Sequence, residues 1–131
     1  VKRVALLIDG GWFCKGLGMQ LEIPGKWPTA EQLCRNARLA LSADEEVFRI
    51  FYYDCEPFSR TLENPIDGSF IDYSLKPTYN SRKAFFADLG QMENVALRRG
   101  ELRASGWELA DNYKRNLIKG SPPVALTPND V

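Results

Sequence analysis

The stretch Arg3-Val-Ala-Leu-Leu-Ile-Asp-Gly-Gly11 decides the fold, because an almost wholly apolar run ends on a carboxylate and two glycines. Val4 to Ile8 is continuous rather than alternating, the pattern of a strand covered on both faces in a parallel sheet. Gly10-Gly11 stops the strand and leaves Asp9 at its carboxyl end, where open α/β sheets bind their ligands. Any chemistry is expected to begin at Asp9.

Downstream, Trp12 to Met19 is predicted to form a helix with Trp12, Phe13, Gly16 and Leu17 inward, weakened by Gly16 and Gly18. Thr29-Ala-Glu-Gln32 has the form of a capping box ahead of Leu33, Ala37 and Leu41, which recur at helical spacing. Val47 to Tyr53 is rich in β-branched and aromatic residues and ends at Asp54, much as the first strand ends at Asp9. Its Phe48, Phe51, Tyr52 and Tyr53 are explained by core packing. Strand, helix and strand make a βαβ unit with a right-handed crossover.

Residues 55–80 hold Pro57, Pro65, Gly68 and Pro77, so a long surface loop is expected there. Its Phe58, Tyr73 and Tyr79 suit a lid, a partner-binding segment, or a loop that folds back over the sheet. Asn80 or Ser81 caps a further helix running towards Glu93, with Phe85, Leu89 and Met92 on one face. Two short strands are predicted at Val95–Arg99 and Gly106–Leu109, and Gly120, Pro122, Pro123 and Pro128 mark 119–131 as an irregular tail.

With 131 residues, 44% hydrophobic and 26% charged, the chain is expected to fold as a single domain over 1–131. Basic and acidic side chains number 17 each, so attraction to nucleic acid has to come from charge distribution. The absence of histidine excludes Ser-His-Asp and Cys-His mechanisms and histidine-ligated zinc, leaving oxygen as the main ligand for any metal. Cys14, Cys34 and Cys55 are odd in number and widely spaced, which suits a reduced, cytoplasmic setting better than a disulfide framework. No run approaches a membrane span, so no membrane partner is expected.

If the two strands are neighbours, Asp9 and Asp54 could share a divalent cation such as Mg²⁺ or its waters. The alternative is that Asp9 caps the helix after it and Asp54 begins a turn. The glycines lack dinucleotide-fingerprint spacing, no Gly-Lys-Ser/Thr phosphate loop occurs, and Gly11 stands where an aspartyl-phosphate phosphatase needs its second Asp. Arg98, Arg99, Arg103, Lys114, Arg115 and Lys119 could track a phosphate backbone, with Trp107 and Tyr113 as stacking rings. The other reading is solvated charge over core aromatics. Cys14 lies near the presumed cleft but lacks a histidine partner for a nucleophilic role.

Arg3-Val-Ala-Leu-Leu-Ile-Asp-Gly-Gly-Trp-Phe13, Arg49-Ile-Phe-Tyr-Tyr-Asp54, Gln91-Met92 and Val95-Ala-Leu-Arg-Arg-Gly-Glu-Leu102 together resemble the NYN domain, a branch of the PIN-like nucleases. The resemblance implies a three-layer α/β/α fold around a mainly parallel sheet, and acidic residues that bind Mg²⁺ or Mn²⁺ to hydrolyse RNA. Asp9 matches the family's first metal-binding aspartate, with Asp54 as an auxiliary catalytic carboxylate. Two departures stand out: Trp12 replaces a frequent Asn, and the later Lys-Gly-x-Asp and Ser-Gly-Asp-Ser-Asp segments do not occur. Set against the resemblance, the chain is a truncated piece, a divergent short member, or one half of a site completed by another chain, and a homodimer is expected to cover the surface that the missing segments expose. Two functions follow from it: a metal-dependent endoribonuclease, or a catalytically incompetent module that binds nucleic acid or protein.

Overall fold

The computed structural model describes residues 1–23, 27–119 and 126–128. Its elements are β1 (Lys2–Asp9), α1 (Gly10–Gln20), α2 (Ala30–Ala37), β2 (Glu45–Cys55), β3 (Thr61–Glu63), β4 (Phe70–Asp72), α3 (Pro77–Gln91), β5 (Val95–Gly100), β6 (Trp107–Leu109), α4 (Asp111–Ile118) and β7 (Leu126–Pro128). The chain groups into two compact units. The first holds Val1–Pro57 with Asn80–Gly100, and the second holds Phe58–Tyr79 with the chain from Glu101 onward.

The first unit is mixed α/β, built on a parallel three-stranded sheet of order β1-β2-β5. Alternation along the strands sends Leu6, Ile8, Ile50, Tyr52, Val95 and Leu97 to one face. Against that face pack Cys14 of α1, Leu33 and Ala37 of α2, and Phe85, Phe86 and Leu89 of α3. The strand order advances in one direction without reversal, and all three helices pack on the same face, as two crossovers of one hand require.

That geometry corrects two expectations from the sequence. β1, expected to be covered on both faces, is an edge strand covered on one, with Leu7 68% exposed. A continuous apolar run does not reveal which face lacks a cover. For the same reason Phe51 and Tyr53, which alternate with Ile50 and Tyr52, are not core residues, and neither is Phe48, the extra residue at a register shift where Val4 pairs with Val47 and Ala5 with Arg49, whose ring lies under Arg3 on the open face.

α1 begins earlier than predicted, at Gly10, and Trp12 is exposed rather than inward. Gly10, Cys14, Leu17 and Gly18 form its buried face. The capping box of α2 is present: Thr29 Oγ1 accepts from Gln32 N at 3.1 Å, and Gln32 Oε1 accepts from Thr29 N at 2.9 Å. Thr29→Ala is expected to destabilise the first unit by about 1 kcal/mol in urea unfolding, because one helical N–H loses its partner.

In the second unit, 58–79 is not the open loop expected. β3 and β4 form an antiparallel hairpin closed by Asn64 Oδ1 accepting from Ile66 N at 2.9 Å, with Gly68 at φ 70° in the left-handed region. Phe58 and Tyr73 meet edge to face at 5.2 Å, and Tyr79 already lies within α3. α4 and β7 are also unforeseen, β7 pairing antiparallel with β6 inside the segment expected to be irregular. The rest of that tail, 120–125 and 129–131, lies outside the described residues. No described helix is long and apolar enough to cross a membrane.

Candidate functional site

Asp9 and Asp54 both stand at carboxyl ends of neighbouring parallel strands, as the sequence suggests, but their side chains part company. Register pairs Asp9 with Tyr53, and Tyr53 with Arg98, so these three residues form one row across the open face. Asp54 is one residue further along β2 and alternates to the face of Tyr52.

Asp9 is the N-cap of α1. Its Oδ1 accepts from Trp12 N at 3.4 Å, a long bond, and the residue is exposed. Its other carboxylate oxygen has no protein hydrogen bond among the described residues. The capping alternative weighed from the sequence is therefore present, and it leaves half of the carboxylate open to solvent.

Asp54 is held on both oxygens. Oδ2 accepts from the Tyr52 hydroxyl at 2.9 Å, and Oδ1 accepts from Cys55 N at 2.8 Å. The Tyr52 hydroxyl also lies 3.5 Å from Cys14 Sγ, so Cys14, Tyr52 and Asp54 form a polar chain running out of the core. Burial, then the bond to Cys14, pushes the Tyr52 phenol far above its ordinary value; burial pushes the Cys14 thiol up to about 11. The Arg82 guanidinium lies over the Trp27 ring, 3.1 Å from its centroid, and interacts electrostatically with this chain; burial lowers its pKa.

This chain is a positioning device, because at neutral pH it offers neither a thiolate nor a phenolate. Cys34 is likewise raised by burial. Of the three free thiols, only Cys55 is not buried, so iodoacetamide at pH 8 is expected to alkylate Cys55 well before Cys14 or Cys34. Peptide mapping of the labelled chain checks this.

The same groups set an alkaline limit. Cys14 and Tyr52 ionise more readily in the unfolded chain than in the fold, so their contribution is full below pH 9.0 and declines as pH rises towards about 11. The urea midpoint is expected to fall across that window and to fall less in Cys14→Ala.

Among the described residues no group of three or more His, Cys, Asp or Glu could hold a metal ion. The protein's own side chains do not make a free-standing cation site here, since Asp54 is occupied and points away from Asp9. A smaller demand is met: Mg²⁺ often binds through one or two carboxylates plus substrate phosphates and waters. One open carboxylate oxygen fits that arrangement.

The basic candidates are distributed. Arg98 makes no ion pair among the described residues and lies over the Phe51 ring at 5.1 Å, whereas Arg99 pairs with Glu56 at 3.0 Å. Arg103, Lys114 and Arg115 belong to the second unit. There Arg103 pairs with Glu101 at 3.9 Å and Lys114 with Glu108 at 3.5 Å, while Arg115 is exposed on α4. Tyr113 is buried and unavailable for stacking. No family model, curated protein or solved structure matches the chain.

Proposed function

We propose that the chain is a metal-dependent ribonuclease domain of the NYN, PIN-like type, with Asp9 as the residue on which hydrolysis depends. The observation that supports this reading is the row Asp9–Tyr53–Arg98, a half-free carboxylate beside an exposed ring and an arginine at the carboxyl edge of a parallel sheet. Mg²⁺ or Mn²⁺ brought in with RNA would activate water and neutralise charge at the phosphate. Asp9 would anchor the ion, Arg98 would hold a phosphate oxygen, and the Tyr52 clamp would keep Asp54 in a supporting place.

A second reading, a module that binds nucleic acid without cutting it, is favoured by the double occupation of Asp54. Incubation with mixed RNA in Mg²⁺ or Mn²⁺ separates the two. Under the first reading RNA is cleaved, and both Asp9→Asn and a chelator reduce cleavage to background. Binding without cleavage supports the second reading, and cleavage that survives Asp9→Asn removes the first.

A further inference from the structure

The open face of the three-stranded sheet calls for an explanation, because parallel sheets are ordinarily covered on both sides. Its central strand carries Phe48, Phe51 and Tyr53, the first and last 45% and 44% exposed. Guanidinium groups lie against two of these rings. Arg3 sits over Phe48 at 4.9 Å, Arg49 over the same ring at 5.8 Å, and Arg98 over Phe51 at 5.1 Å.

Resting on the ribonuclease reading, we propose that this face is the binding platform for single-stranded RNA, which crosses the rings of β2 and reaches Asp9 at the carboxyl edge. Charge complementarity carries the choice of occupant. Arg3, Arg49 and Arg98 make no ion pair among the described residues, so this face carries an excess of positive charge, with Arg49 and Arg98 the cations that have no carboxylate opposite them in the register. Among the described residues of these strands the acidic side chains of the face are Asp9, at its carboxyl edge, and Glu46, opposite Arg3 at the other end.

Two other occupants fit less well. A covering helix would bury Arg49, which stands in the middle of the central strand opposite Ala5, at the cost of desolvating an unpaired charge. A second copy placed face to face would bring two sets of arginines together. A phosphate backbone instead meets each guanidinium with an oxygen and leaves the face wet.

The spacing selects single strands. Phe51 and Tyr53 are two residues apart, about 7 Å along a strand, roughly twice the 3.4 Å rise of stacked bases. Bases that settle on both rings are therefore separated from each other, which a single strand permits and a duplex does not. Tyr53, in the row of Asp9, supplies the ring nearest the carboxylate.

The test is fluorescence anisotropy with a labelled oligouridylate of about ten nucleotides, without divalent metal so that binding is read apart from cleavage. Arg49→Glu, Arg98→Glu and Tyr53→Ala, all at exposed positions, are each expected to weaken binding about tenfold. Their circular dichroism melts should match the parent. The salt slope of log affinity is expected near −2, from three arginines at about 0.7 each. Tight binding unaffected by these variants would overturn the platform while leaving the ribonuclease reading intact. Absence of both binding and cleavage would remove both. Equal competition by polyglutamate would show that charge alone is read, and would also overturn the platform.

Discussion

Tyr52→Ala is expected to lower the unfolding free energy by about 4 kcal/mol. Tyr52 is fully buried at the centre of the helical face and meets Phe85 and Phe86 edge to face at 5.8 and 6.1 Å. Truncation removes that ring and leaves a cavity between β2 and α3. Tyr52→Phe keeps the ring and removes only the hydroxyl, so its expected cost is about 1 to 2 kcal/mol, from a carboxylate that loses one of its two donors. Chemical denaturation of both variants separates packing from hydrogen bonding. Equal losses would mean that the Tyr52–Asp54 bond, rather than the ring, dominates.

Gly10→Ala is expected to cost about 3 kcal/mol, a large effect for one methyl group. A Cβ on Gly10 would lie 2.8 Å from Tyr52 Cε2 and closer still to Cζ, so β2 or α1 has to shift. Gly11 provides the internal control, because nothing lies within 4 Å of a Cβ placed there. Gly11→Ala should leave stability near the parent value. Tyr52→Ala in the Gly10→Ala background should cost less than the sum of the single changes, since the first removes what the second strikes. Additive losses would place the strain elsewhere.

These two residues show where the sequence was legible. The apolar run ending at Asp9, the aromatic run ending at Asp54 and the Thr29 capping box are local signals, and the parallel neighbours β1 and β2 follow from them. Asp54 is engaged because Tyr52 lies two residues before it on the same strand face, a spacing present in the letters. Cys14, the other end of that chain, is 38 residues away from Tyr52, and no local pattern joins them.

What escaped the sequence has a common cause. Strand periodicity assigns residues to faces but cannot say whether each face has a cover, so Leu7 and Phe51 looked like core when only Ile8 and Tyr52 are. The hairpin at 61–72 and the pairing of β6 with β7 depend on short three-residue strands whose partners are set by tertiary contact. Prolines and glycines around them read as loop, although Gly68 serves as the turn of a hairpin.

The central claim is that RNA lies on the open sheet face and ends at Asp9. Ultraviolet crosslinking of bound oligouridylate, followed by mass spectrometry of the modified peptides, tests it most directly. Adducts on Phe48, Phe51 or Tyr53, with none on the buried Tyr52, are the expected result. Adducts confined to residues 101–119, or to the helices on the covered face, would contradict it.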